Sequence, residues 1–216
     1  MDKLEFDTFE WADKCAEVIH RHINFFLGRD GYCSVILTGG RSAEQVYNKL
    51  SNYLPQYEGF IDFYLGDERC VPETDTDSNY RMIIKTLFKN QISRINKFHK
   101  FYDSAFGIVD NLKRYENELP GCPNLLLLSI GNDGHIASLF PGHDYSNIKD
   151  WVVSAVSPLG QKRMTITPAY IDLAERVIVF AYGITKKDIV LKISNETKPV
   201  DIPARWADNG LFLTVK

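Results

Sequence analysis

Apolar residues recur along the chain in two patterns, one at helical spacing and one in short continuous runs. Between residues 7 and 28 the apolar positions follow helical spacing with charges between them, and Gly28 stands just beyond the last of them. This pattern predicts an amphipathic helix that ends at Gly28. The following run, "CSVILT", is typical of a buried strand, and Gly39 and Gly40 predict a sharp turn after it.

The succession of strand, turn and helix then repeats. Ser42 with Gln45 three residues later matches a capping box, which predicts a helix from Ser42 to about Leu54. The predicted strand "FIDFYL" is followed by a loop at residues 67–69, and a helix is predicted to begin near Ser78. Later strands are predicted at "KFHKFY", "LLLLSI", "WVVSAV", "RMTIT", "RVIVFAY" and "LFLTV", and later helices at "GIVDNLKRYENEL" and from about Thr185.

Alternating strands and helices predict an α/β fold of three layers, with a mainly parallel sheet and helices on both of its faces. The chain has 216 residues, of which 44% are hydrophobic, and this is enough for one large core. No internal repeat, low-complexity tract or linker-like segment interrupts it. We therefore expect a single domain spanning residues 1–216.

Charge and composition narrow the classes of partner. A formal net charge of -3 gives no general attraction for nucleic acid or an anionic membrane, so an anionic ligand must be held by a few local cations. This favours a small ligand. No stretch reaches the length of a membrane span, and the N-terminal residues lack the apolar core of a signal peptide. The four cysteines are far apart in sequence, which predicts reduced thiols and a cytoplasmic location.

Four polar clusters stand where predicted strands end, at residues 38–42, 67–69, 131–135 and 183–186. Because the carboxyl ends of neighbouring parallel strands meet at one edge of a sheet, we expect all four clusters to converge there. In open α/β folds that edge is where ligands bind.

The first cluster is suited to a phosphate group. Gly39 and Gly40 open a helix whose free backbone N–H groups and positive dipole end favour an anion, although a turn that merely connects two elements is the simpler alternative. Arg41 and Ser42 add a cation and a hydroxyl. The pattern matches neither the P-loop nor the dinucleotide fingerprint, so it does not indicate a nucleotide site.

Two further cations could complete a phosphate site. Arg163 opens the strand "RMTIT", and Lys186 follows the strand "RVIVFAY" by a short link. Each of them alone predicts only a solvated surface charge. Together with the glycine turn they could close around a phosphate dianion, which a bidentate guanidinium and a compact ammonium both suit.

Asp133 and His135 offer general acid–base chemistry at the end of the "LLLLSI" strand. A serine triad fits poorly because Ser138 is not in a nucleophile elbow, so the nucleophile would have to be water. His135 is not accompanied by a zinc-ligand pattern, and no metal site is predicted.

Taken in order, five segments resemble the signature blocks of the 6-phosphogluconolactonases. They are "TGGRSAEQVYNKL", "YLGDERCVPETDTDSNYRM", "LLLLSIGNDGHIASLFPG", "KRMTIT" and "YGITKKDIV", and they span roughly residues 35 to 190. The resemblance implies hydrolysis of 6-phosphoglucono-δ-lactone to 6-phosphogluconate, the second step of the oxidative pentose phosphate pathway. It also implies a Rossmann-like fold shared with glucosamine-6-phosphate deaminases, and no required cofactor.

The resemblance assigns a role to His135, and the chemistry of the other residues suggests theirs. His135 matches the family's proposed general base, oriented by Asp133 or by a backbone carbonyl, and would activate a water that attacks the lactone carbonyl. Arg69 is the candidate for stabilising the oxyanion. Its alternative is a structural ion pair with Asp67 or Glu68. The residues expected to contact substrate are Gly39, Gly40, Arg41, Ser42, Asp67, Glu68, Arg163 and Lys186.

The sequence departs from the family pattern in two places. The first block usually reads Ser-Gly-Gly-Ser-Thr-Pro, and Arg41 stands here as an unexpected cation. The chain also stops after "GLFLTVK" without the acidic and alanine-rich helix common in the family, which leaves the packing of the last strand open. The oligomeric state is not predicted.

Two other functions stay open from the sequence. A glucosamine-6-phosphate deaminase or sugar-phosphate isomerase on the same fold would use Asp67 to move a proton. The resembling deaminases carry Phe-Asn-Glu-Pro where this chain has residues 138–141, Ser-Leu-Phe-Pro, without a carboxylate. A non-catalytic sugar-phosphate sensor would keep Arg163 and Lys186 but would not need His135.

Overall fold

Strands and helices alternate through residues 1–57, 59–90, 97–193 and 198–216, which the computed structural model describes. The strands are β1 (Asp2–Phe6), β2 (Cys33–Leu37), β3 (Ile61–Leu65), β4 (Asp67–Arg69), β5 (Lys97–Phe98), β6 (Leu125–Ser129), β7 (Val152–Val156), β8 (Lys162–Ile166), β9 (Arg176–Ala181) and β10 (Leu211–Val215). The α-helices are α1 (Trp11–Asp30), α2 (Arg41–Leu50), α3 (Asn79–Thr86), α4 (Ile108–Glu118), α5 (Pro168–Ile171) and α6 (Ile184–Ile193).

A seven-stranded parallel sheet forms the centre of the fold, in the order β1-β10-β9-β6-β2-β3-β5. Right-handed crossovers between its strands put α1, α2 and α3 on one face and α4, α5 and α6 on the other. The contacts of α2 with both α1 and α3 agree with this arrangement. The predicted three-layer α/β fold is therefore confirmed. No described helix is both long enough and apolar enough to cross a membrane.

Three strands leave this layer and form a small antiparallel sheet in the order β4-β8-β7. The prediction of a loop at residues 67–69 is therefore wrong, since these residues pair with β8. The two sheets meet at Gly66, whose N–H donates to Leu37 of β2 at 2.7 Å while its carbonyl accepts from Ile166 of β8 at 2.9 Å. Gly66 thus places the polar residues that follow β3 above the end of the parallel sheet.

Two predicted helix boundaries are wrong for reasons of backbone conformation. Helix α1 runs through Gly28 and ends at Gly31, which has a φ of 71° and donates its N–H to Leu27. Helix α2 has Gly40 at its N-cap with a φ of 94°, so Ser42 lies inside the first turn and makes no capping bond. Glycine is favoured at both caps because other residues rarely adopt a positive φ.

The two ends of the described chain meet at one edge of the parallel sheet. Strand β1, which the helical pattern of the N-terminal region did not predict, pairs with β10, and β10 in turn pairs with β9. Phe212 and Leu213 of β10 are fully buried. The last strand is therefore an inner strand of the sheet, packed between two neighbours.

Candidate active site

A small cavity of about 130 Å³ lies at the carboxyl ends of the central strands. It combines residues from all four polar clusters predicted to converge and from β8. Its lining residues are Thr38, Gly39, Gly40, Arg41, Asp67, Arg69, Asn79, Ser129, Ile130, Gly131, His135, Ala137, Arg163 and Lys186. Within the described ranges, no group of three or more His, Cys, Asp or Glu side chains is arranged to hold a metal ion.

The glycine turn after β2 presents the N-terminus of α2 to this cavity. Helical geometry leaves the first backbone N–H groups of α2 without partners in the helix. Lys186, from the first turn of α6, donates from Nζ to the Ser42 hydroxyl oxygen at 3.0 Å. Burial lowers the pKa of Lys186, and the positive charge of Arg41 lowers it further. The turn and Lys186 thus form one electropositive wall.

Asp133 and His135 form a hydrogen-bonded pair on the loop after β6. His135 Nδ1 lies 2.5 Å from Asp133 Oδ1, and the same oxygen accepts the His135 backbone N–H at 3.2 Å. Burial acts to raise the pKa of Asp133, but the hydrogen bond and charge of His135 outweigh it, and that pKa is lowered. With Nδ1 held by a carboxylate, the lone pair of a neutral imidazole is on Nε2.

Glycine at position 131 makes room for this pair. A Cβ on Gly131 would lie 2.1 Å from both Cε1 and Nδ1 of His135, and 2.8 Å from Asp133 Oδ1. The backbone around it is fixed by the Gly131 N–H, which donates to the His135 carbonyl at 2.8 Å. Gly131 therefore allows the imidazole to fold back against its own loop.

Asp67 is the centre of a buried polar network at the cavity wall. Its Oδ2 accepts from the Ser138 hydroxyl at 2.7 Å and lies 3.7 Å from a guanidinium nitrogen of Arg163. Asn79 Nδ2 donates to the Asp67 carbonyl at 2.9 Å and to Oδ1 at 3.2 Å. Burial lowers the pKa of Arg163, and Asp67 opposes that shift. Asp67 therefore helps to keep a buried cation beside the cavity.

Arg69 and Arg163 face each other across the β4–β8 pair. The Arg69 guanidinium donates to the carbonyl of Asp77. Neither Asp67 nor Glu68 forms an ion pair with Arg69 among the contacts of the described residues, so the ion-pair alternative from the sequence is wrong. Arg69 is instead held by a neutral carbonyl and lines the cavity as a cation.

Glu68 is the predicted substrate contact that the structure places elsewhere. Its side chain is 2% exposed, and its carboxylate accepts the backbone N–H groups of Arg69, Asn79 and Tyr80 at 2.7–2.8 Å and the Ser78 hydroxyl at 3.1 Å. Burial raises the pKa of Glu68, and the three backbone hydrogen bonds oppose the rise. The carboxylate binds the N-terminus of α3 and is not available to a ligand in the cavity.

Most of the predicted site residues come together in the described structure. Ser42 and Asp133 are absent from the lining of the cavity itself, but each holds a lining residue, Lys186 and His135 respectively. Sequence reasoning missed Asn79, whose buried Oδ1 is without a hydrogen-bond partner among the described residues. The signal that could have found it is its place in the block "YLGDERCVPETDTDSNYRM", which also contains Asp67 and Arg69.

The parallel α/β sheet and its cationic cavity at the strand ends define a class of protein that binds small anionic ligands at this edge. More specifically, the chain belongs to the glucosamine-6-phosphate isomerases/6-phosphogluconolactonase family, which matches residues 7–214.

Individual relatives support this membership. A 6-phosphogluconolactonase of Borreliella burgdorferi is 32% identical over 194 residues, covering 83% of this chain and 81% of that relative. The crystal structure of a 6-phosphogluconolactonase from Thermotoga maritima has a TM-score of 0.83 at 27% identity, covering 99% of this chain and 97% of that one. A monomeric glucosamine-6-phosphate deaminase shares the fold, with a TM-score of 0.81 at 18% identity over 100% of this chain and 97% of that one.

Proposed function

We propose that this protein hydrolyses 6-phosphoglucono-δ-lactone to 6-phosphogluconate in the oxidative pentose phosphate pathway. The main observation in support of this function is that the Asp133–His135 pair adjoins the same small cavity as the α2 glycine turn, Lys186 and Arg163. A base and a phosphate-binding wall in one cavity suit a substrate with a hydrolysable carbonyl at one end and a phosphate at the other. The names of the relatives support the same activity.

The phosphate is held by the N-terminus of α2, with its turn residues Gly39 and Gly40, and by Arg41, Lys186 and Arg163. Free backbone N–H groups, a helix dipole and cations all favour a dianion. Holding the phosphate fixes the lactone ring relative to His135. Binding energy from a part of the substrate that does not react is thereby converted into positioning of the part that does.

His135 is the general base. Asp133 holds Nδ1, so Nε2 takes a proton from water as the water oxygen bonds to the lactone carbonyl carbon. The bond between that carbon and the ring oxygen then breaks, and the proton returns to the ring oxygen. Arg69 stabilises the negative charge that develops on the carbonyl oxygen in between. Asp67 contributes by holding Arg163, and Glu68 has no substrate role in this mechanism.

The nearest alternative is deamination or isomerisation of a sugar phosphate, with Asp67 moving a proton between carbons. The surroundings of Asp67 favour the lactonase: its carboxylate accepts from Ser138 and Asn79 and lies beside Arg163, so it is engaged in internal structural contacts. Positions 138–141, where the resembling deaminases supply a carboxylate, carry Ser138 and apolar residues here. A non-catalytic sensor would not need the Asp133–His135 pair.

The proposal also covers the partner, the cellular location and the domain organisation. The partner is a small phosphorylated sugar lactone and not a nucleic acid, in keeping with the net charge of -3. The location is the cytoplasm, which the four free cysteines suit. Residues 1–216 act as a single domain.

Lactone hydrolysis measured against a no-enzyme blank tests the function, because such lactones also open spontaneously. We expect enzyme-dependent hydrolysis of the phosphorylated lactone and no ammonia release from glucosamine 6-phosphate assayed in parallel. Ammonia release without lactone hydrolysis would establish the deaminase instead. Binding of 6-phosphogluconate with neither reaction would establish the sensor.

A further inference from the structure

Strand β1 is an edge strand whose outer side has no partner among the described residues. It pairs only with β10, and its Phe6 carbonyl accepts the N–H of Lys216 in the continuation of that strand. Backbone groups of successive strand residues point alternately to the two sides. Asp2, Leu4 and Phe6 therefore point to β10, while the N–H and C=O groups of Lys3 and Glu5 point outward.

The geometry points to a second copy of this chain as the partner of this edge, in antiparallel pairing of the two β1 strands about Leu4. In this register, Lys3 of each copy faces Glu5 of the other and exchanges two backbone hydrogen bonds with it. The same four backbone groups that point outward in one chain are those that the pairing uses.

Charge selects this register over its neighbours. Only pairings in which outward-pointing residues face each other are possible, so the centre of symmetry is residue 3, 4 or 5. Centring on residue 3 opposes two lysines, and centring on residue 5 opposes two glutamates. Centring on Leu4 gives two opposite-charge pairs, which stabilise a sheet where like charges destabilise it.

The side chains of Lys3 and Glu5 are placed for this exchange. Both are partly exposed, and Lys3 Nζ lies 3.2 Å from Glu5 Oε1 within one chain, so they share a face of the sheet. Lys187 of α6 is on that face too, 3.9 Å from Glu5. Pairing would align Lys3 and Glu5 of both copies in a row of alternating sign. Charges on an edge strand usually oppose pairing with another strand. The alternating charges of Lys3 and Glu5 oppose only the registers centred on residue 3 or residue 5.

An apolar surface on the other face of β1 supports the same partner. Leu4 is 40% exposed and Phe25 of α1 is 59% exposed, and with Val18 and Leu211 they form the apolar part of a groove of about 550 Å³ that Arg21, Arg29, Glu175 and Arg176 also line. In the proposed register the two Leu4 side chains meet directly across the symmetry axis. Apolar contact on one face would thus be added to charge pairing on the other.

Sedimentation of charge-reversal variants tests the pairing. We expect the wild-type chain to dimerise, and Lys3→Glu or Glu5→Lys to weaken the dimer by roughly 10- to 30-fold, because two attractive pairs become repulsive. The double variant Lys3→Glu/Glu5→Lys should restore dimerisation, and a mixture of the two single variants should form heterodimers. Lys97→Glu, a charge reversal on the opposite edge strand β5, is the matched control and should have no effect.

Disulfide trapping gives an independent readout if a variant folds poorly. In a Cys122→Ser background, Leu4→Cys should cross-link two copies on oxidation, since opposed residues that are not hydrogen-bonded approach to about 4.5 Å between Cα atoms. Lys3→Cys and Glu5→Cys should not cross-link to themselves. A wild-type chain that stays monomeric at several hundred micromolar, or a dimer unaffected by charge reversal and not trapped at Leu4, would overturn the proposal.

Discussion

At the residue scale, the proposed chemistry depends most on His135. Replacing it with glutamine should lower kcat by roughly 10²- to 10⁴-fold, the range expected for the loss of a positioned proton acceptor. Binding of 6-phosphogluconate should survive, because the phosphate contacts come from α2, α6 and β8. A folded His135→Gln variant that kept most of its activity, after subtraction of spontaneous hydrolysis, would leave the imidazole a structural role.

The pH dependence of stability checks the partner of His135. Asp133 should stay ionised to below the ordinary carboxyl range, because its pKa is lowered in the folded protein by the hydrogen bond and charge of His135. A carboxyl with a lowered folded-state pKa stabilises the fold above its unfolded-state pKa and loses that contribution as the pH falls through the folded value. The difference in Tm between the wild type and Asp133→Asn should therefore shrink as the pH falls through the lowered folded-state pKa of Asp133.

Lys186 should affect the phosphorylated substrate selectively. Lys186→Met should weaken binding of 6-phosphogluconate by about 10- to 100-fold through the loss of a charge-assisted contact, and should barely change activity on unphosphorylated gluconolactone. Lys187→Met, one residue further along α6 and outside the cavity lining, is the control. Equal losses on both substrates would contradict the assignment.

The lowered pKa of Lys186 gives this prediction a pH dependence. The ammonium that binds phosphate is lost as the pH rises through a value below the ordinary 10.5 of lysine. Calorimetric affinity for 6-phosphogluconate should therefore fall earlier on the alkaline side for the wild type than for Lys186→Arg, which keeps its charge.

Residue identities predicted most of the site because strand ends and polar clusters coincide. The exception, Glu68, has the same side-chain chemistry as a substrate ligand, and only the backbone geometry of the turn into α3 shows that its four acceptor contacts are internal. Asn79 was missed for the converse reason. Its amide faces the cavity because the Asp67 carbonyl and carboxylate hold Nδ2, a contact that depends on the fold of β4 against α3.

At the element scale, the attachment of α3 to β4 rests on Glu68. Glu68→Ala should lower the free energy of unfolding by about 3 kcal/mol, because it leaves several buried N–H groups without acceptors at a helix N-terminus. Chemical denaturation measures this, with Glu73→Ala as the control. Glu73 is exposed in an ion pair with Lys100 and should change stability by no more than about 0.5 kcal/mol. A stable Glu68→Ala enzyme with only a raised KM would instead support the substrate contact predicted from sequence.

The sequence predicted where most strands lie better than it predicted which strands pair with each other. The runs "WVVSAV" and "RMTIT" were predicted as strands β7 and β8, but β8 also pairs antiparallel with β4, and that pairing depends on the position of Gly66 between the two sheets. Strand β1 was missed because Lys3 and Glu5 face outward at an edge and leave little apolar signal. The predicted end of α1 was wrong because a helix can include Gly28 when Gly31 supplies the left-handed cap.

At the scale of the whole molecule, the three-layer architecture could be predicted from the alternation of strands and helices alone. Whether the large and small sheets behave as one unit depends instead on the contacts between them. Gly66 bonds to both sheets, and the Ser138 N–H, on the loop after β6, donates to Thr165 Oγ1 of β8 at 3.0 Å. The loop that follows β6 is thus attached to the small sheet as well as to the large one. We expect this coupling to make residues 1–216 unfold as one unit.

The free thiols can report whether the two sheets unfold together. Cys33 begins β2 in the large sheet and is buried, and burial, with the charges of Asp30 and Glu175, raises its pKa to about 12. Cys70 follows β4 in the small sheet, where its N–H donates to the Lys162 carbonyl at 3.0 Å. In variants that keep one of these two cysteines and replace the other three, pulse labelling across a urea series should give the same midpoint for both thiols.

Cooperative unfolding predicts this coincidence because neither thiol becomes fully reactive until the shared hydrogen bonds at Gly66 break. Cys122, which is exposed, supplies the control: a variant that keeps only this thiol should react at all urea concentrations. A Cys70 midpoint well below that of Cys33 would mean that the small sheet opens on its own. Arg69 and Arg163 would then be carried by a separately unfolding part of the protein, and activity should be lost at the lower midpoint.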